Sequence, residues 1–340
     1  MTDTLAAVDA DFGLRVCAAF GLPDGDARLR PLAASSTRLW ELRTGRGRFA
    51  VKEFAYQHQV PGRAAKLAAA AAFEYSVWRA GGVVMPEPVP AADGGLITRL
   101  AGSRGVVVAV RVHRWLDGRA VLVPPDEQTA SAAGQALAAI QRLGAAHSCA
   151  EDGSLTWWSE DLDEVLRRMV RAGLLRAARA RSAAASLDRA RSVLAAGERL
   201  PGRWIYTHND HKPENSLLAG GQIAVLDWDE CGHCHPRLEA VESALRWAGG
   251  HDGEPEPAAF RAFLRGYQRA PGEFADLGPA DFAKWVAALA SWFGFTGGRA
   301  LGEFDDTQAE RATATGMALS TLDALDRTLD SLERWARLAA

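Results

Sequence analysis

Cysteine is scarce: four residues in 340, at positions 17, 149, 231 and 234, are too few for a disulfide framework. Long apolar runs are absent too. No uncharged apolar stretch approaches about 18 residues, so no transmembrane helix is expected. The opening "MTDTLAAVDADFGLRVCAAF" carries Asp3, Asp9 and Asp11 among its apolar residues. It lacks a basic segment followed by an unbroken apolar one, so no signal peptide is read. Together these absences point to a reducing cytoplasm. Positive charge is not in excess: 39 Lys and Arg stand against 42 Asp and Glu, a net charge of −3. That excludes a mainly electrostatic nucleic-acid binder. The nucleotide fingerprints G-x-G-x-x-G and G-x-x-x-x-G-K are missing, and so is the G-x-S-x-G elbow of serine hydrolases.

What is present is apolar residue, 48% of a chain long enough for two domains or one two-lobed unit. Leu5, Val8, Phe12, Val16 and Phe20 have helical spacing over 4–20. Three strands follow, at 28–34, 36–44 and 47–55, the last two separated by a Gly45-Arg46-Gly47 turn. An alanine-rich helix at 62–80 stops at Gly81-Gly82, and strands at 95–100 and 106–116 complete a β-β-β-α-β-β lobe. The rest reads as mostly helical: 124–147, one or two helices over 160–197, then 236–249, 256–269, 279–299 and 306–338. Short strands at 203–210 and 221–229 interrupt it. The arginines between Arg167 and Arg203 alternate with Ala and Leu at helical spacing, as on a solvated helix face.

The chemistry concentrates between those two short strands, in "HNDHKPEN" at 208–215. Asp210, Lys212 and Asn215 stand at spacing 0, +2 and +5, and Asp227 ends the next strand 17 residues after Asp210. A loop between two strands can bring Asp210, Asn215 and Asp227 around one point. Phosphoryl transfer needs such groups: a carboxylate to orient a hydroxyl and take its proton, oxygen ligands for Mg²⁺, and a cation near the transferred group.

This motif resembles the catalytic loop of the protein-kinase fold, and the H-G-D-x-x-x-x-N loop of the aminoglycoside phosphotransferases in particular. The resemblance extends over about residues 28–320 by order of elements. It implies an α+β, two-lobed protein-kinase-like fold: a small antiparallel sheet with one helix in the N-terminal lobe (1–113), and a mainly helical C-terminal lobe (114–340). It implies ATP and Mg²⁺ as cofactors and a small hydroxyl-bearing acceptor, with neither nucleic acid nor membrane as partner. Asp210 becomes the catalytic base and Lys212 its companion; Asn215 and Asp227 become metal ligands, with Asp229 assisting or facing the acceptor. Lys52, in "FAVKEF", becomes the lysine on the α- and β-phosphates. Glu74, 22 residues on, becomes its ion-pair partner, since Glu53 points to the opposite strand face. "RVHRWLDGRAV" is similar to the adenine-binding linker with its W-[IL]-x-G turn, placing the hinge at Val112, His113 and Arg114. The nucleotide-covering loop "PLAASSTRLW" lacks glycine, so Ser35, Ser36 and Thr37 would contact phosphate through N–H groups and hydroxyls. Glu239 is the acidic residue expected to brace the catalytic loop. No A-P-E segment follows Asp227, which favours a small-molecule acceptor over a peptide.

"DWDECGHCH" at 227–235 invites other chemistry. Cys231, Cys234 and His235 fit the C-x-x-C-H haem pattern, and with His233 they offer zinc ligands. Four ligands within five residues are too cramped for one tetrahedral site, and haem attachment normally follows export. A catalytically dead kinase fold is a further alternative, although degenerate members usually lose the base or a metal ligand. The first expectation for the acceptor is an aminoglycoside or similar basic antibiotic, whose phosphorylation would give resistance or self-protection; such a cation would need carboxylates, with Asp229, Glu230, Glu254, Glu256, Glu303, Asp305 and Asp306 as candidates. Trp228, Trp247, Trp285 and Trp292 would supply a stacking wall or core. The alternative is a metabolic kinase for an amino alcohol, homoserine-like compound or sugar.

Overall fold

A computed structural model describes residues 10–34, 37–54, 62–150, 153–156, 161–250, 254–268, 272–304 and 306–339. In chain order the elements are α1 (Ala10–Phe20), β1 (Arg28–Ala34), β2 (Thr37–Thr44), β3 (Gly47–Phe54), α2 (Arg63–Ala80), β4 (Pro88–Val89), β5 (Thr98–Ala101), β6 (Val107–Arg114) and β7 (Arg119–Ala120). Next come α3 (Glu127–His147), β8 (Cys149–Ala150), α4 (Leu162–Arg171), α5 (Ala177–Glu198), β9 (Trp204–Thr207), β10 (Ser216–Ala219), β11 (Gln222–Val225) and β12 (Gly232–Cys234). Last are α6 (Pro236–Trp247), α7 (Pro257–Tyr267), α8 (Ala283–Ala300) and α9 (Gln308–Ala339). The two-residue β4 has no counterpart among the expected strands, because two residues carry no readable alternation.

These elements form two compact units, one comprising the chain up to Val121 with His208–Gly232, the other Leu122–Thr207 with His233–Ala340. The 208–232 segment thus groups with the N-terminal sheet and not with the helical unit into which a boundary at 113/114 placed it. The reason is its partners. β10 pairs with β7, Val84 bridges Ala224, and Lys52, Arg111 and Lys66 hold Asp227, Asp229 and Glu230.

The first unit is built on an antiparallel sheet of order β1-β2-β3-β6-β4, with β5 also on β6. Period-two alternation sorts its faces. Trp40 and Leu42 of β2, Phe49 and Val51 of β3, and Val108, Val110 and Val112 of β6 are buried with Phe12, Val16, Cys17 and Phe20 of α1. α1 therefore packs on this sheet as well, so the lobe carries a second helix. The intervening residues face the other way: Phe54 and Ala109 pack with Leu67 of α2. Lys52 and Arg111 belong to that α2 side and are register partners across β3 and β6. Glu53 is on the α1 side, as alternation requires, where it accepts from Trp40 Nε1 at 3.2 Å and Ser103 Oγ at 2.7 Å.

The second unit is a helical stack. Asp126 and Asp161 cap α3 and α4 with their carboxylates. α3 and α7 cross at glycines: a Cβ on Gly134 would lie 2.1 Å from Phe263 O, and one on Gly266 2.1 Å from Ser131 O. Only hydrogen fits at either position. The arginines of the basic stretch pair outward with acids, Arg179 with Asp323, Arg189 with Asp330 and Arg191 with Asp163. Inside, Glu242 is held between Arg246 and Lys284 at 2.8 Å each.

Candidate active site

The loop after β9 is held by its own polar groups. His208, fully buried, contacts Leu226 O through Nε2 at 2.9 Å, and its Nδ1 accepts from the Asp210 N–H at 3.3 Å. An accepting Nδ1 leaves Nε2 as the donor, so the ring is the neutral Nε2–H tautomer. Burial agrees, pushing the imidazole down to about 4. Trp228 lies edge-on to the ring at 4.8 Å. The Leu226 N–H donates to Asn215 O at 2.8 Å, so the residue before Asp227 is stitched to Asn215.

Within the loop, Asp210 Oδ2 is 2.7 Å from Lys212 Nζ and accepts from Asn215 Nδ2 at 2.8 Å. Asn215 Nδ2 also donates to Asp210 O at 3.0 Å. With its amide nitrogen turned to Asp210, Asn215 has its carbonyl oxygen directed elsewhere, as a metal ligand requires. Asn209 (φ 67) and Asp227 (φ 58) are the non-glycine residues with positive φ among those described. Asn and Asp tolerate this left-handed region better than other side chains, and backbone strain collects at functional sites.

Lys52 reaches Asp227 Oδ1 at 2.6 Å, bridging 175 positions of sequence, and also pairs with Asp229 Oδ2. Burial would lower the lysine, but Asp229 and Asp227 outweigh it and hold the ammonium charged. The two carboxylates differ. Burial, which would raise Asp229, is outweighed by Lys52 and Arg111, leaving it at about 2. Asp227 is pushed up by desolvation and by the charge of Asp229. Asp227 is also the accessible one, with its side chain 43% exposed against 7% for Asp229. An accessible carboxylate with surplus negative charge beside it fits a hard cation. Asp227 and Asn215 are therefore the residues that would hold Mg²⁺, and Asp229 is a buried brace. Among the described residues no group of three or more His, Cys, Asp and Glu converges as a metal cage. Mg²⁺ shared between one or two protein groups and phosphate oxygens does not need one.

Several expected contacts fall elsewhere. Glu74 does not pair with Lys52. It pairs with Arg111 Nη2 and with His113 Nε2 at 3.0 Å, because Arg111 stands beside Lys52 on the same sheet face. Val112 and His113 lie within β6, which is paired on both sides there, with Val51 and Ala50 of β3 and with Val89 and Pro88 of β4. Arg114 ends the strand, its N–H bound to Glu87 O and its guanidinium to the Glu87 carboxylate. The irregular segment after it, 115–118, leads into β7, which still belongs to the first unit. Ser35 and Ser36 lie outside the described residues; Thr37 opens β2 opposite Phe54. Glu239 accepts from Gln141 Nε2 at 2.7 Å inside the helical unit.

The residues of "CGHCH" have separate partners. Cys231 and Cys234 are buried, His233 Nε2 contacts Ser148 Oγ at 3.0 Å, and His235 Nε2 contacts Pro201 O at 3.2 Å. The acids considered for the acceptor are engaged too. Glu230 binds Arg63 and Lys66, Glu254 binds Arg334 and Trp335, Glu256 caps α7, Glu303 binds Arg168 and Asp306 binds Arg299. Asp305 lies outside the described residues. Trp228, Trp247 and Trp285 are core, whereas Trp292 is 39% exposed. Sequence reasoning missed Arg111, although its signal was legible: a lone arginine inside the apolar strand "VVVAVRV", on the face of Lys52.

An antiparallel sheet with a facing helix, a lysine on β3 and a loop carrying base and metal-ligand candidates is the plan of the kinase-like phosphotransferases. The chain matches the phosphotransferase enzyme family over residues 28–277, and it belongs to that family. It is an α+β small-molecule kinase. No curated protein matches it in sequence. Solved structures do resemble it. An amicoumacin kinase in complex with AMP-PNP, Ca²⁺ and Ami shares 14% identity at a TM-score of 0.64, covering 93% of each chain. A spectinomycin phosphotransferase in complex with ADP and spectinomycin shares 11% at 0.63, covering 93% of this chain and 97% of its own. A microcompartment-associated aminopropanol kinase shares 19% at 0.59, covering 91% and 94%.

Proposed function

We propose that this enzyme transfers the γ-phosphoryl group of ATP, with Mg²⁺, to a hydroxyl of a small molecule. The observation that carries the reading is Lys52 of β3 meeting Asp227, beside a loop that joins Asp210 to Lys212 and Asn215. Asp210 orients the acceptor hydroxyl and takes its proton as the oxygen attacks the γ-phosphorus, whose bond to the β–γ bridging oxygen breaks to release ADP. Lys212, already on Asp210 Oδ2, places a positive charge beside that carboxylate and beside the transferred group. Lys52 leaves the carboxylates to meet phosphate oxygens. Asp227 and Asn215 hold Mg²⁺, which when bound neutralises charge on the phosphates.

The acceptor is a compact alcohol with few amines rather than a polycation. Glu230, Glu254, Glu256, Glu303 and Asp306 already have cationic or backbone partners, so they do not supply the surplus negative charge that a polycationic aminoglycoside demands. The amicoumacin, spectinomycin and aminopropanol kinases among the similar folds support an amine-bearing alcohol. The test is a panel of amino alcohols, spectinomycin-like compounds, homoserine, sugars and polycationic aminoglycosides, with ATP and Mg²⁺ and mass spectrometry of the products. A product gaining one phosphoryl group from a small amino alcohol is expected. Asp210→Ala should lower kcat by about 10²-fold or more, the usual worth of a general base. Full activity in that variant contradicts its assigned role, and exclusive turnover of polycations contradicts the acceptor class.

A further inference from the structure

Five charged side chains meet on the α2 side of the sheet without the direct Lys52–Glu74 pair. Lys52 and Arg111 are cross-strand neighbours of like charge, an arrangement that costs stability unless anions intervene. Three carboxylates do so, in a chain of contacts that uses both oxygens of Glu74 and Asp229 and one of Asp227. Glu74 Oε1 accepts from His113 Nε2 at 3.0 Å, and Glu74 Oε2 is ion-paired with Arg111 Nη2. Asp229 Oδ1 receives Arg111 Nη1 at 2.8 Å, and Asp229 Oδ2 receives Lys52 Nζ. Asp227 Oδ1 then receives Lys52. Arg111 is 2% exposed, as is Glu74, and Asp229 is buried with them. The planar fork of a guanidinium suits two carboxylates at once, which an ammonium cannot match.

We infer that Arg111 is a positioning residue for nucleotide binding: it fixes Asp229, on which Lys52 docks, while Glu74 anchors Arg111 to α2. The inference rests on the phosphotransferase reading above. Glu74 then acts on Lys52 at two removes, through a guanidinium and a carboxylate, and α2 is coupled to the Asp227 segment by the same relay. Lys66 and Arg63 reinforce the coupling by holding Glu230 from the first turns of α2.

The test uses the full chain and calorimetric titration of AMP-PNP with Mg²⁺, alongside thermal melts. Arg111→Gln alone leaves two buried carboxylates short of a partner and should lose both stability and binding. The paired variant Arg111→Gln with Glu74→Gln removes one charge of each sign. It should recover most of the melting temperature yet bind AMP-PNP about tenfold more weakly than wild type, since Asp229 has still lost its anchor. Arg111→Lys, which keeps the charge but not the fork, should show a similar loss while staying folded. Wild-type affinity in both the paired and the lysine variants overturns the inference. Lys52→Met serves as reference. If wild type fails to bind AMP-PNP, or Lys52→Met binds it equally well, the nucleotide reading itself falls; if only the Arg111 variants behave as wild type, the reading stands and the relay does not.

Discussion

At the scale of single residues, the site is assembled by groups whose protonation is set by burial. His208 illustrates this. Its folded-state pKa of about 4 lies below the ordinary 6.5, so between those values the unfolded chain binds the extra proton. Its contribution is complete above pH 6.5 and is lost as pH falls toward 4, up to about 3 kcal/mol at 1.36 kcal/mol per unit. His113, pushed down to about 3 by burial and by Arg111, acts in the same direction. The melting temperature of wild type should therefore drop across this window. His208→Gln retains a donor for Leu226 O but does not titrate, so its melting temperature should fall less steeply. An unchanged slope would mean that His208 is not held neutral. The spacing of Asp210, Lys212, Asn215 and Asp227 made them legible as candidates, and the strand "FAVKEF" did so for Lys52 through the family resemblance. Arg111 stood out as a lone arginine in an apolar strand, but its meaning depends on which residue β3 sets beside it.

Elements were mostly legible, and for one reason. Alternation over β2, β3 and β6 and helical spacing along α1 reflect faces that are in fact buried, so pattern and burial agree. The exceptions are local. The strand expected over 221–229 ends at Val225, since Asp227 turns left-handed and Trp228–Glu230 forms a 3-10 turn. β6 stops at Arg114 and not 116. Helix contacts carry their own prediction at the α3–α7 crossing. Gly134→Ala gains helix propensity of about 1 kcal/mol, but its Cβ would meet backbone oxygen at 2.1 Å, which side-chain rotation cannot relieve. The clash should win, giving a net loss of about 1–3 kcal/mol in urea unfolding. A variant as stable as wild type would show that the helices can separate freely.

At the scale of the whole molecule, the grouping of 208–232 with the N-terminal sheet places all the assigned phosphate-side residues in one unit. Nucleotide binding should then stabilise that unit by mass action, by about 2.7 kcal/mol at a hundredfold excess over Kd. AMP-PNP with Mg²⁺ should raise the melting temperature of wild type. Asp227→Asn should lose the Mg²⁺-dependent part of the rise while keeping a smaller response to nucleotide alone. An equal response in both proteins would remove Asp227 from the metal site. No helix among the described residues is long and apolar enough to cross a membrane.

By itself the sequence determined the kind of chemistry, because the spacing of Asp210, Lys212, Asn215 and Asp227 is a local property that a loop between two strands must respect. It determined the elements for the same reason. Only the tertiary structure decided which charge meets which. Lys52, Glu74, Arg111 and Asp229 come from four separate segments, and their pairing depends on strand register and on the depth at which each side chain ends. It also gave the residues of "ECGHCH" separate partners distant in sequence, Glu230 with Arg63 and Lys66, His233 with Ser148 and His235 with Pro201, since burial and partners are properties of the folded chain that no spacing records.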